Sequence, residues 1–245
     1  MQRYFVEPSK IELPLIYIDG DDYHHIVHVM RMKIGTKVYV SNQKTSWIAK
    51  IMEITKTLVT LEVETELHEQ KELPYSVTIA QGLVRKEKTE EVIDYICELG
   101  ASKYIPVMME RSIVKVNQEQ LAKKNNRYLK IAKEAAEQSH RIKVMEVEMV
   151  YTFKELLNLK ADYDLCLYAY EQSSADDSLK KLLKDKKYQN VLILVGPEGG
   201  ISDKEVEMLK QADFLPISLG PRILRTQVAP IYIMSALSYE WEIKE

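Results

Sequence analysis

From residue 76 onward, short uncharged apolar runs alternate with stretches of helical spacing, and few architectures accept that alternation. Ser76 to Ala80, Tyr104 to Met108, Leu165 to Ala169, Val191 to Val195 and Leu215 to Leu219 read as strands. Thr89 to Leu99 sets Val92, Ile96 and Leu99 on one helical face and stops at Gly100, while Gln120 to Ser139, Leu179 to Leu183, Asp203 to Ala212 and Val228 to Trp241 read as further helices. Strands without a polar face belong in a sheet covered on both sides. The pattern therefore predicts an α/β fold with a mostly parallel sheet.

The first 70 residues follow a different period. KVYVS, SWIAKIMEI and LVTLEVE are short strand-like runs about ten residues apart, as in a small β-barrel or sandwich, and Asp21 to Met32 has helical spacing with Ile26, Val29 and Met30 on one face. The charged stretch His68 to Glu72, followed by Pro74, reads as a linker, which predicts a boundary near residue 72 and two domains, 1–72 and 73–245.

Two loops stand out. Of 8 glycines in 245 residues, Gly196, Gly199 and Gly200 fall within five positions, directly after a buried strand. Their missing Cβ atoms let backbone approach backbone, or let a ligand approach backbone. Ser202 with Glu205 then forms a capping box that opens a helix. The second loop, Leu219-Gly220-Pro221-Arg222-Ile223-Leu224-Arg225, follows the last strand and puts two guanidinium groups outside regular structure; Thr226 reads as the cap of the terminal helix, with Pro230 in its first turn. Ligands of open α/β sheets settle at the carboxyl ends of strands, so the two loops mark a pocket or two plain turns.

Several classes are excluded or disfavoured. No G-x-G-x-x-G, G-x-x-x-x-G-K-[ST] or G-x-S-x-G motif occurs, and no apolar run is long enough for a membrane span or a signal peptide, so a cytoplasmic protein without membrane partner is expected. Cys97 and Cys166 sit in apolar contexts as small hydrophobes, and His24, His25 and His28 lack further metal-ligating neighbours, so no metal is expected. The net charge of −3 argues mildly against nucleic acid, yet Leu121 to Lys143 carries Lys123, Lys124, Arg127, Lys130, Lys133, Arg141 and Lys143 against only Glu134 and Glu137. That run is a solvated helix face or a phosphate-binding one.

Taken in order, QRYFV, DDYHHIVHVMRMKIG, ELGA (98–101), ERSIVK (110–115), AAEQSHR (135–141), LVGPEGGIS (194–202) and LGPRILRT (219–226) resemble the RsmE family of ribosomal RNA methyltransferases over nearly the whole chain. The resemblance implies a PUA-like β-barrel for RNA binding, then a SPOUT-type domain with a deep trefoil knot. It implies a homodimer that methylates N3 of one uridine in small-subunit (16S) ribosomal RNA, free or in a ribosomal particle, using S-adenosyl-L-methionine. On that basis Leu194, Val195, Gly196, Pro197, Glu198, Gly199, Gly200, Ile201, Leu219, Gly220, Ile223 and Leu224 would hold the cofactor, the glycines making room for it. Negative charge developing on the uracil ring calls for a guanidinium, so Arg225 first and Arg222 second are the catalytic candidates, with Glu198 as a candidate base. Arg3, His24, His25, Arg31, Arg111, Arg127 and Arg141 would contact RNA, and the apolar terminal helix would form a dimer seam. The chain departs from the family at Gln227-Val228, where Glu-Thr is usual, at Leu83 to Lys88, and before Glu98. Those departures motivate one alternative, an RNA-binding or ribosome-assembly factor of the same fold with impaired catalysis.

Overall fold

The computed structural model describes residues 1–114, 118–173, 179 and 188–243, with backbone only over 118–123. The chain forms two compact units: 1–72 joined by 136–144, and 73–135 joined by 145–245. The first unit therefore takes in a later piece of chain, which a single boundary near residue 72 does not anticipate.

In the first unit β1 (Arg3–Phe5), β2 (Ile11–Glu12) and β3 (Leu15–Ile18) precede a short helix, α1 (Gly20–His24). Then come β4 (Lys37–Ser41), β5 (Ser46–Ile54) and β6 (Val59–Leu67), giving one six-stranded sheet in the order β1-β4-β5-β6-β3-β2. Alternation along β5 turns Trp47, Ala49 and Ile51 inward to meet Tyr4, Ile16, Val38, Val40, Val59 and Leu61. After α1 the helix widens to π geometry over His25–Val29, where Met30 N–H donates to His25 O at 2.8 Å; Ile26 plugs the core and Val29 and Met30 face out. The apolar face expected over Asp21 to Met32 is thus split, because the wider turn rotates later residues off the helical register.

The stretch expected as a linker is structural. Glu69 accepts from Arg3 Nη2 at 2.6 Å, and Arg3, fully buried, donates through Nη1 to Arg141 O at 3.0 Å and lies over the Tyr39 ring at 5.3 Å. Glu72 accepts from Arg141 Nε at 3.1 Å and from the Ile142 and Lys143 N–H groups at 2.9 and 3.0 Å. Two carboxylates thus strap residues 136–144 to the first unit.

The second unit holds β7 (Ser76–Gly82), α2 (Lys86–Glu98), β8 (Lys103–Met108), α3 (Gln118–Gln138, the stretch from Ala136 counting with the first unit), β9 (Glu146–Val147), β10 (Tyr151–Thr152), α4 (Phe153–Asn158), β11 (Leu165–Ala169), β12 (Asn190–Val195), α5 (Asp203–Gln211), β13 (Leu215–Ile217) and α6 (Val228–Glu242). Its strands pair in the order β10-β8-β7-β12-β11-β13, with β9 on β8, and every pairing is parallel. β7, β11 and β12 are buried along almost their whole length, as uncharged runs require. Most of the helix expected at Leu179 to Leu183 lies outside the described residues. β13 ends at Ile217, two residues before the expected end, so Ser218 and Leu219 join the loop. α6 buries Ala229, Pro230, Ile233, Met234 and Leu237, while Val228, Tyr232 and Tyr239 stay exposed.

Candidate active site

Parallel order brings the carboxyl ends of β7, β12 and β13 to one edge of the second unit, and both loops singled out in the sequence leave from there. After Val195 the chain turns through Gly196-Pro197-Glu198-Gly199-Gly200; Gly200 N–H donates to Pro197 O at 2.9 Å and Gly200 takes φ +72°, a left-handed conformation that suits glycine. The Ser202 hydroxyl accepts from Glu205 N–H at 3.3 Å and Glu205 Oε2 accepts from Ser202 N–H at 3.0 Å, so the expected capping box is present and starts α5.

The glycines answer a demand of the protein's own packing. A Cβ on Gly196 would meet Ile201 Cγ1 at 3.0 Å, and one on Gly199 would meet Arg111 Cβ at 2.8 Å and Arg111 O at 3.0 Å. Backbone approaching backbone, one of the two options open in the sequence, explains both positions. Gly220, by contrast, has φ +101° and nothing within 4 Å of where its Cβ would stand. Room beside bare backbone thus lies at the second loop.

That loop is held open. Leu219 and Leu224 are half-buried, Arg222 and Arg225 exposed, and Ile223 is 89% exposed, an aliphatic side chain without protein cover. The loop is anchored at its far end by Thr226, which does not cap α6. Its hydroxyl donates to Gly196 O at 2.7 Å, and the N-cap position falls to Gln227, which makes no capping side-chain bond. α6 instead starts with Val228 and Ala229 N–H donating to Arg225 O at 2.8 and 3.0 Å. Behind Thr226, Gln81 Nε2 donates to Thr226 O at 2.7 Å and to its hydroxyl at 3.2 Å, and Tyr104 OH donates to Gln81 Oε1 at 2.9 Å. One glutamine in the buried strand β7 was the sequence signal for this chain of bonds.

Glu198 is held by Lys88, whose Nζ lies 3.0 Å from Oε1; Oε2 is buried and has no hydrogen-bond partner. Lys88 lies in the first turn of α2, 110 residues earlier, and nothing in its local sequence singled it out. Arg111, exposed, donates to Gly199 O and Ile201 O, both at 3.3 Å, and Ser202 Oγ donates to Glu110 Oε2 at 2.8 Å, so residues 110–111 pin the glycine loop from a second side.

The other candidates are scattered. Arg3 and Arg141, expected as RNA contacts, are instead 0% and 3% exposed and paired with Glu69 and Glu72, so neither guanidinium faces solvent where a phosphate could reach it. His24 and Arg31 are exposed, Arg31 with φ +50°, and His25 is half-buried with Nδ1 3.0 Å from Tyr4 OH. Arg127 is exposed and 3.4 Å from Glu90. Cys97 and Cys166 are free and buried, and burial pushes the Cys166 thiol up to about 11. Among the described residues no group of three or more His, Cys, Asp or Glu could hold a metal, and no helix is long and apolar enough to cross a membrane.

A parallel α/β unit with two backbone loops at its strand ends is a ligand-binding plan, and the match of the chain to known families makes it that of an RNA methyltransferase. Residues 71–238 match the family model for an RNA methyltransferase domain, and residues 18–64 that for an RNA methyltransferase PUA domain. The chain is 41% identical over 252 aligned residues to the ribosomal RNA small subunit methyltransferase E of Bacillus subtilis (99% of this chain, 98% of that protein) and 30% identical to that of Synechocystis (96% and 77%). Among solved structures, a Legionella pneumophila protein in complex with the cofactor SAM superposes with a TM-score of 0.86 at 28% identity, covering 96% of both chains. The ribosomal RNA small subunit methyltransferase E of Neisseria gonorrhoeae, also bound to S-adenosyl methionine, shares the fold with a TM-score of 0.85 at 24% identity, covering 98% of both. The chain belongs to the ribosomal RNA small subunit methyltransferase E (RsmE) family.

Proposed function

We propose that this chain transfers a methyl group from S-adenosyl-L-methionine to N3 of a uridine in small-subunit ribosomal RNA. The observation that carries this reading is the pair of loops 196–201 and 219–225 tied together at one strand edge, with Gly220 and Ile223 open beside them, on a chain matching the family end to end. The cofactor supplies an electrophilic methyl on a sulfonium. Leu219, Ile223 and Leu224 offer apolar walls for its adenine, backed from inside by the buried Ile201, and backbone N–H and C=O groups in the loops Gly196 to Gly200 and Leu219 to Leu224 can read the adenine edge without charge. An 89% exposed isoleucine next to an open glycine fits a flat apolar ring.

Uracil N3 carries a proton that must leave before the nitrogen is nucleophilic, and the charge then spreads to O2 and O4. Arg225 first and Arg222 second, both exposed in the second loop, would stabilise that charge. Glu198, paired through Oε1 with Lys88, is the proposed acceptor for the departing proton, which its carboxylate reaches only once Oε2 turns out of its buried position. Residues 1–72 serve as the RNA-binding domain, with His24, His25 and Arg31 as contacts; Arg111 and Arg127 add to them from the second unit. Three finer features belong to the same reading. The trefoil knot rests on the resemblance to the family, whose SPOUT-type domain carries one. Exposed Val228, Tyr232 and Tyr239 on α6 support a homodimer, and an RNA substrate of this kind supports a cytoplasmic location.

The test is transfer of labelled methyl from S-adenosylmethionine to small-subunit ribosomal RNA, read by mass spectrometry of nuclease digests. A new 3-methyluridine supports the proposal; cofactor binding without any transfer would leave an assembly factor in its place.

A further inference from the structure

Four groups from four separate segments form one buried line: Tyr104 on β8, Gln81 on β7, Thr226 before α6 and the Gly196 carbonyl after β12. Gln81 is 0% and Tyr104 1% exposed, so water cannot substitute for a partner lost there, while Thr226 is 9% exposed and its bond to the half-buried Gly196 lies at the outer end of the line. The direction of the line is fixed by chemistry. Thr226 O and Gly196 O are carbonyls and can only accept, so the Gln81 amide nitrogen must face Thr226 and the Thr226 hydroxyl proton must face Gly196. The Gln81 oxygen is left toward Tyr104, whose phenol stays protonated because burial pushes it far above its ordinary value.

The line crosses from one proposed cofactor loop to the other. Gly196 opens the first and Thr226 closes the second, and the hydroxyl between them spans 2.7 Å. We propose that Gln81 and Thr226 are positioning residues that set the separation of the two loops and thereby the affinity for S-adenosylmethionine, without touching it. This rests on the cofactor slot proposed above. β7 and β8 could be stabilised equally well by apolar side chains at Gln81 and Tyr104; what apolar side chains cannot do is orient Thr226 so that its hydroxyl holds the Gly196 carbonyl at one distance.

The experiment is calorimetric titration of S-adenosylmethionine into the full chain, with KM and kcat for methyl transfer measured alongside. Thr226→Val keeps the shape and removes the hydroxyl, and should weaken cofactor binding about tenfold and raise KM for the cofactor while leaving kcat at saturation nearly unchanged. Thr226→Ser restores the hydroxyl and should recover most of the loss. Tyr104→Phe, a milder change at the remote end, should weaken binding by about threefold and keeps the test open if Thr226→Val does not fold. Leu224→Asp, in the slot wall, separates the two readings. If Leu224→Asp weakens binding and both Thr226→Val and Tyr104→Phe bind like the parent, the positioning role is wrong and the slot stands; if none of the three changes affinity, the slot itself is misplaced. Equal losses in Thr226→Ser and Thr226→Val would also overturn the inference.

Discussion

Gly82→Ala isolates the contact on which the whole site edge depends. Gly82 ends β7, and a Cβ there would stand 2.5 Å from Pro197 Cδ, 2.6 Å from Pro197 N and 3.0 Å from Met109 Sδ. Ordinary carbon contacts lie at roughly 3.5–4.0 Å, so β7 and the glycine loop would have to part by about 1 Å. Met109 can rotate away, but a proline ring and its backbone nitrogen cannot. Overpacking of this kind costs about 1–3 kcal/mol, which for a chain of this size lowers the melting temperature by roughly 2–12 °C. A loop shifted by about 1 Å should also reduce turnover on the order of 100-fold. The assays are thermal melting by circular dichroism and single-turnover methyl transfer. A Gly82→Ala protein that melts and turns over like the parent would show that the loop yields freely, and the argument that packing sets the slot would fall.

The remaining predictions concern charge. Arg225→Ala should lower kcat by about 10²–10³-fold with cofactor affinity unchanged in calorimetry; a fall in affinity alone would make Arg225 a binding residue. Arg3→Met leaves Glu69 half-buried without its cation and should destabilise the first unit by about 3–5 kcal/mol in urea unfolding, whereas Arg31→Ala should leave stability alone and flatten the salt dependence of RNA binding by about one unit. A salt slope changed by Arg3→Met in the folded state would restore Arg3 as an RNA contact. Burial and the nearby Arg3 guanidinium hold the His140 imidazole below its ordinary 6.5, so below that pH the unfolded chain takes a proton that the folded chain refuses. Stability is complete above about 6.5 and falls as the pH drops through that value. His140→Asn, which tolerates the local φ of +56°, should remove this part of the acid sensitivity in unfolding midpoints measured from about pH 7 to 5; an unchanged profile assigns it elsewhere.

Periodicity made the second unit readable. Short uncharged runs such as Leu165–Ala169 suit a doubly covered strand, and the Ser202/Glu205 box marked where α5 begins, because each signal is local and involves residues a few positions apart. The π turn after α1 and the withdrawal of Arg3 and Arg141 were not readable, since a basic residue looks the same in sequence whether a distant carboxylate awaits it or water does. Thr226 misled for a related reason. Threonine before a helix is a good cap, and only the Gly196 carbonyl, 30 residues away in sequence, draws its hydroxyl elsewhere.

By itself, then, the order of residues determined the longer strands, though not short ones such as β9 and β10, as well as where two glycine-bearing loops follow strands and, through its motifs, the family. Tertiary structure decided what those loops are for locally. It filled the missing side chains of Gly196 and Gly199 with Ile201 and Arg111, left the space at Gly220 open, and joined the loops through Gln81 and Thr226. Steric room and hydrogen-bond partners belong to pairs of atoms, and pairs so far apart along the chain meet only when the strands between them have found their order.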